Sequence, residues 1–173
     1  MLPARLEILD HGDLLAFTFE DLLKYHGRTS IGGVAHGFKA MERALCLLAG
    51  GEIPERADIR IESAFGGGGA RDAFEMVTRA VTADRFLYDP DMAPDAPASP
   101  MGQYFFRFVH QAGTVVELTL RPGLVVDEFV DLARRGAATP AEEDRLAQLK
   151  QEMADRLMAL PADEVYDARV TRS

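Results

Sequence analysis

Between Gly32 and Ala49 the apolar residues Val34, Phe38, Met41, Leu45 and Leu48 recur at spacings of three and four, and Gly50-Gly51 close the run. This is the pattern of an amphipathic helix that must bury one face, and it is the tightest constraint the chain places on its own fold. The start of the helix is unusual. Gly32, Gly33, Ala35 and Gly37 are small residues that lower helix propensity or contribute no side chain. Something therefore approaches that backbone closely, either a packed strand or a ligand lying over an open helix N-terminus.

The flanking segments supply strands as well as helices. Leu6, Ile8 and Leu9 followed by Asp10-His11-Gly12-Asp13 predict a short extended piece and a turn. Thr18, with Glu20 and Asp21 behind it, caps a helix that ends at His26-Gly27. Ala57 to Ala64 alternates as a half-exposed strand and leads into Gly66 to Gly69, after which Ala73, Phe74, Val77 and Val81 form a helical stripe. Strand, glycine loop and helix resemble a phosphate cradle. However, no Lys-Ser/Thr follows the glycines and no G-x-G-x-x-G fits. Pro90, Pro94, Pro97 and Pro100 mark a loop expected to be mobile.

Two strands around Gln111-Ala112-Gly113 predict a hairpin, and Leu124 to Arg134 a short helix. Thr139-Pro140 then starts a helix running to Ala159, with a narrow stripe of Leu146, Leu149, Met153, Leu157 and Leu160 suited to packing on the domain or on a second copy of the chain. The last residues, Asp163 to Val170, offer an edge strand. The order predicts an α+β fold: a mixed, largely antiparallel sheet flanked by helices, with a C-terminal helix. We divide it into a core domain, 1–136, and a C-terminal helical extension, 137–173. A length of 173 residues suits one compact domain.

Charge and cysteine content narrow the function. A net charge of −9 disfavours general nucleic-acid or anionic-membrane binding, so any anion site must be local. The single cysteine, Cys46, excludes an internal disulfide and a cysteine-based zinc site, and its helical position predicts a core residue. No apolar run approaches ~18 residues and no signal-peptide layout opens the chain, so the expectation is a cytoplasmic protein without a membrane partner.

The candidate chemistry gathers in one segment. His26 and His36 bracket Gly27-Arg28-Thr29-Ser30-Ile31-Gly32-Gly33, which combines imidazoles, a guanidinium, hydroxyls and a helix N-terminus suited to an anion or carboxylate. This segment resembles the FmdE-like family of formylmethanofuran dehydrogenase components and their stand-alone relatives, in which a helix leads into His-Gly-His-x-Cys-Pro-Gly and a small-residue helix carrying Gly-Tyr/Phe-Arg/Lys-Ala. His26, Gly27, Gly32, Gly37, Phe38, Lys39 and Ala40 fall in register with that pattern, and Glu62 and Asp72-Ala73 follow in the corresponding order. The resemblance covers roughly residues 16 to 120.

The departures fall on the family's ligands. Arg28 stands for its second histidine, Ser30 for its first cysteine, Ile31 for its proline and Gly69 for the cysteine before Asp-Ala. Of the metal site that the resemblance implies, only His26 remains, enough for a weakly held metal completed by carboxylates and water. The resemblance further implies a homodimer. The expected ligand-binding residues are His26, Arg28, Thr29, Ser30, Gly32, Gly33, His36, Gly68, Gly69 and Asp72. Three functions stay open: a binder of a small anion, an enzyme using His26 as general acid or base with Arg28 as anion clamp, and a structural or partner-binding relative with a decayed site.

Overall fold

The computed structural model describes residues 3–172. The chain opens with an antiparallel hairpin of β1 (Arg5–Asp10) and β2 (Asp13–Thr18), then α1 (Phe19–His26) and α2 (Ile31–Leu48). β3 (Ile59–Phe65), α3 (Gly68–Thr78), β4 (Phe86–Tyr88) and β5 (Ala98–Ser99) follow, and then β6 (Gly102–His110) and β7 (Thr114–Leu120). The C-terminal part holds α4 (Asp127–Arg135), α5 (Pro140–Met158), α6 (Ala162–Val165) and β8 (Tyr166–Arg172). The main sheet runs β4-β3-β6-β7-β8, with β5 beside β6. Only β3 and β4 pair in parallel, so the sheet is mixed and largely antiparallel, and the fold is α+β.

α2 lies at the centre. Thirteen of its eighteen residues are buried, because the sheet covers one side while α1, α3 and α5 cover the others. The small residues at its start meet another helix rather than a strand. A Cβ on Gly37 would lie 2.7 Å from the Ala73 Cβ and 3.1 Å from the Ala70 Cα, and one on Gly69 would lie 2.7 Å from the Ser30 carbonyl oxygen. The two backbones are therefore as close as side-chain-free residues allow. Phe74 of α3 sets its ring edge-on to Phe106 and Phe108 of the sheet, at centroid distances of 5.3 and 5.6 Å.

Local chemistry sets the helix ends. Thr18 and Asp21 form a reciprocal capping box on α1, at 2.9 and 3.2 Å. Thr139 caps α5 by accepting from the Glu142 N–H, with Pro140 at the first helical position. Ser30 occupies the N-cap position of α2, but its side chain makes no capping bond. At the other end of α3, the buried Arg56 donates to the carbonyls of Met76 and Val77, and Arg85 to that of Thr78.

Several expectations change. The extended piece at the start is a full hairpin, because β2 pairs with β1 across six residues. Cys46 is exposed and donates to the Arg43 carbonyl. It lies one turn after Glu42, on the face turned away from the buried stripe. The segment from α5 to β8 packs on the rest of the chain: Leu149, Met153, Leu157, Val165 and Tyr166 are buried, and β8 pairs with β7 along its length. The α5 stripe is thus covered by the same chain's α2, and carries no argument for a dimer. The proline-rich segment is partly anchored, since β5 pairs with β6 and Met92 reaches Arg107. No helix of the described residues is long and apolar enough to cross a membrane.

The close approach of α2 and α3 is directly testable. Gly69→Ala should destabilise the protein by about 1–3 kcal/mol, because the new methyl group meets backbone that cannot yield. Gly68→Ala should be near neutral, since its Cβ would find only the His26 ring, at 3.8 Å. Urea denaturation reads the difference, and equal midpoints for the two variants would reject the packing account.

Candidate functional site

His26 is the last residue of α1, and Asp72 lies one turn into α3. Packing of α1 on α3 brings the His26 Nδ1 to 2.7 Å from an Asp72 carboxylate oxygen. A carboxylate only accepts, so Nδ1 donates to it. The Nε2 of the same ring is closed to solvent and has no hydrogen-bond partner among the described residues. The histidine is 12% exposed and its aspartate 34%, so the pair sits at the boundary between core and surface.

Immediately beyond Gly68, the starts of α2 and α3 converge. A Cβ on Gly33 would lie 3.4 Å from the Gly69 Cα and 3.5 Å from the Ala70 nitrogen. First-turn N–H groups have no acceptor within their own helix. Here neither N-cap supplies one: Ser30 makes no capping bond and Gly67 has no side chain. Neither helix has an acidic residue in its first turn, unlike α1, α4 and α5. Two positive helix-dipole ends are thus held side by side without an internal anion.

A cavity of about 280 Å³ opens beside them. Ser30, Gly32, Gly33, Gly67, Gly68 and Gly69 form one wall. Phe65, Tyr104 and the turn Ser99-Pro100-Met101 form a second, and Phe129 and Ala133 of α4 with Leu146, Lys150 and Met153 of α5 complete it. Lys150 is the one charged residue of the lining, and its ammonium donates to the Thr29 carbonyl at 3.1 Å.

His36 stands behind this cavity. It is fully buried and stacks on Tyr104, with ring centroids 4.2 Å apart and planes inclined by 21°. Burial holds its pKa down at about 3, so the ring is neutral. Nδ1 accepts from the Tyr166 hydroxyl at 2.7 Å, and Nε2 donates to the Met153 sulfur at 3.2 Å. Both nitrogens are therefore occupied, and His36 acts on the cavity through the two wall residues it holds, Tyr104 and Met153. Burial also pushes the Tyr104 phenol up to about 12, against a hydrogen bond with Ser99 that lowers it.

The expected site residues divide into three groups. Ser30, Gly32, Gly33, Gly68 and Gly69 come together on the cavity wall. His26 and Asp72 form their own pair next to it, and Thr29 takes part only through its carbonyl. Arg28 points outward: it is 63% exposed, bonds both Glu20 carboxylate oxygens at 3.1 and 3.2 Å, and borders a separate surface hollow. The cation at the cavity is Lys150 instead. Its signal in the sequence is a lone charge within an apolar stripe, four residues after Leu146 and three before Met153. Among the described residues, no group of three or more His, Cys, Asp or Glu side chains is placed to hold a metal.

No family model matches the chain, and no curated protein is significantly similar to it in sequence. The likeness to the FmdE-like family accordingly rests on the motif residues. Several of these have structural work in this fold: Gly37 admits α3, and Lys39 donates to Glu42 and to the Leu160 carbonyl.

The buried neutral His36 gives stability a pH dependence of known sign. Its folded pKa lies below the usual ~6.5, so the unfolded chain binds the proton first. The stabilisation is complete above pH ~6.5 and is lost as pH falls toward 3, at up to about 1.4 kcal/mol per unit. Urea unfolding at pH 6.5 and 5.0 should show this loss in the wild type. The His36→Phe/Tyr166→Phe double variant, in which neither polar partner is orphaned, should lose about 2 kcal/mol less. Identical pH slopes would show that His36 is not the titrating group.

Proposed function

We propose that the protein binds a small ligand through an anionic group, at the junction of the α2 and α3 N-termini. The observation that supports this best is the meeting of two uncapped helix starts on the wall of a formed cavity, with Lys150 as its single charge. Each helix start contributes a partial positive charge of roughly half an elementary charge. Local donors at contact distance outweigh a net charge of −9 spread over the whole surface. In family terms we read the chain as a divergent FmdE-like protein, related to that component of formylmethanofuran dehydrogenase, that has kept the helix junction and lost the thiolate ligands.

A second reading has its own support. The unpartnered His26 Nε2, with its tautomer set by Asp72, is arranged as a general base is in histidine–carboxylate pairs. In that reading the protein is an enzyme, and the anion site positions its substrate.

Amide shifts of ¹⁵N-labelled protein separate these readings. Titration with acetate should move the amides of residues 31–33 and 68–70 together and saturate, and Lys150→Gln should weaken that response about tenfold. Shifts scattered over exposed basic side chains, with these amides unmoved, would overturn the binding reading. His26→Gln should leave the acetate response in place. Any turnover found for a bound ligand should disappear in that variant if the enzyme reading holds, and persist if it does not.

A further inference from the structure

We infer that the ligand is a compact monocarboxylic acid with an apolar body, of on the order of ten non-hydrogen atoms. The inference rests on the anion-binding reading and specifies its ligand class. Size comes first: a cavity of about 280 Å³ lies at the small end of the range for ligand sites, which suits a compact ligand.

The distribution of polarity then selects the chemistry. On one side lie Lys150, whose ammonium donates to the Thr29 carbonyl, Ser30, whose hydroxyl makes no capping bond, and the first turns of α2 and α3. The remaining wall is hydrocarbon, aromatic ring and thioether: Phe65, Met101, Phe129, Leu146 and Met153. Its polar neighbours are already engaged. The Ser99 hydroxyl donates to the Gly102 carbonyl and accepts from the Met101 N–H, Tyr104 bonds Ser99, and both His36 nitrogens are bonded to other side chains. Past that side, the hydroxyl and imidazole groups near the wall are already engaged, so a polar group on the ligand would lose its water with no side-chain partner of this set to replace it.

A single ammonium matches a single negative charge. Dicarboxylates carry two and phosphate between one and two at neutral pH, and the lining has no arginine fork to receive them. Arg28 does not supply one, because Glu20 holds it on the outer surface. Acetate satisfies the charged end alone. Benzoate or hexanoate would also cover the apolar wall, which for such pockets is where most of the affinity arises.

The test is an amide-shift titration of the full chain with benzoate, hexanoate, acetate, malonate and inorganic phosphate. The expected result is that benzoate or hexanoate binds at least about tenfold more tightly than acetate, and that all three move the amides of residues 31–33 and 68–70. Ala133→Phe, which fills the cavity from α4, should weaken benzoate about tenfold while leaving acetate unchanged. If that variant does not fold, Leu146→Gln places an amide against the ligand body and should act in the same direction. Malonate or phosphate binding as tightly as benzoate at these amides would overturn the apolar-acid inference and leave the anion site standing. So would a benzoate affinity unaffected by the cavity variant. If none of the five ligands moves these amides, the anion-binding reading falls as well.

Discussion

The arrangement of this protein depends on one close contact, the backbone-to-backbone approach of α2 and α3. With Gly37 against Ala70 and Ala73, and Gly69 against the Ser30 carbonyl, the helices pack nearer than any pair of larger side chains would permit. Three consequences follow from that distance. α2 is drawn into the centre, where thirteen of its eighteen residues are buried. The two helix starts meet at one point. Asp72, on the first turns of α3, comes within hydrogen-bond reach of the residue that ends α1.

The ends of α3 are treated in opposite ways. Its C-terminal carbonyls are saturated by Arg56 and Arg85, cations that burial would otherwise make costly. Its N-terminus has a glycine as cap and no carboxylate in its first turn, and Asp72 one turn in is engaged by His26. The positive end of α3 is thus less compensated from within than its negative end. In α1 and α5, by contrast, threonine caps and acidic first turns complete the N-terminus locally.

Much of the fold is legible in the sequence, because it is written in local signals. Spacing of apolar residues locates α2, α3 and α5, Thr18 and Thr139 locate two caps, and the alternation in β6 and β7 locates the central hairpin. What escapes is set by tertiary contacts. The outward face of Cys46 depends on which side of α2 the sheet covers, and β2 is amphipathic only weakly because it pairs in a separate two-stranded ribbon. The small residues of α2 signal a close approach correctly, but nothing in their spacing says whether a strand or a helix makes it. For the site, the glycines and Ser30 are recognisable as a helix-start wall, whereas Lys150 lies more than a hundred residues away and enters only because α5 folds back onto α2.

The displacement of the cation from Arg28 to Lys150 changes what the motif means. Read along the chain, Arg28 in place of a ligand histidine converts a metal site into an anion site within a single loop. In three dimensions the loop splits. Glu20 draws Arg28 to the surface, His26 turns inward to Asp72, and the helix start between them faces a cavity roofed by α4 and α5. The histidine–aspartate pair and the cavity share Gly68 as their boundary, since the imidazole lies in contact range of that glycine on one side and the cavity on the other. A side chain at position 68 would thicken that partition. Its absence leaves only backbone between a buried imidazole and the space that a carboxylate would fill.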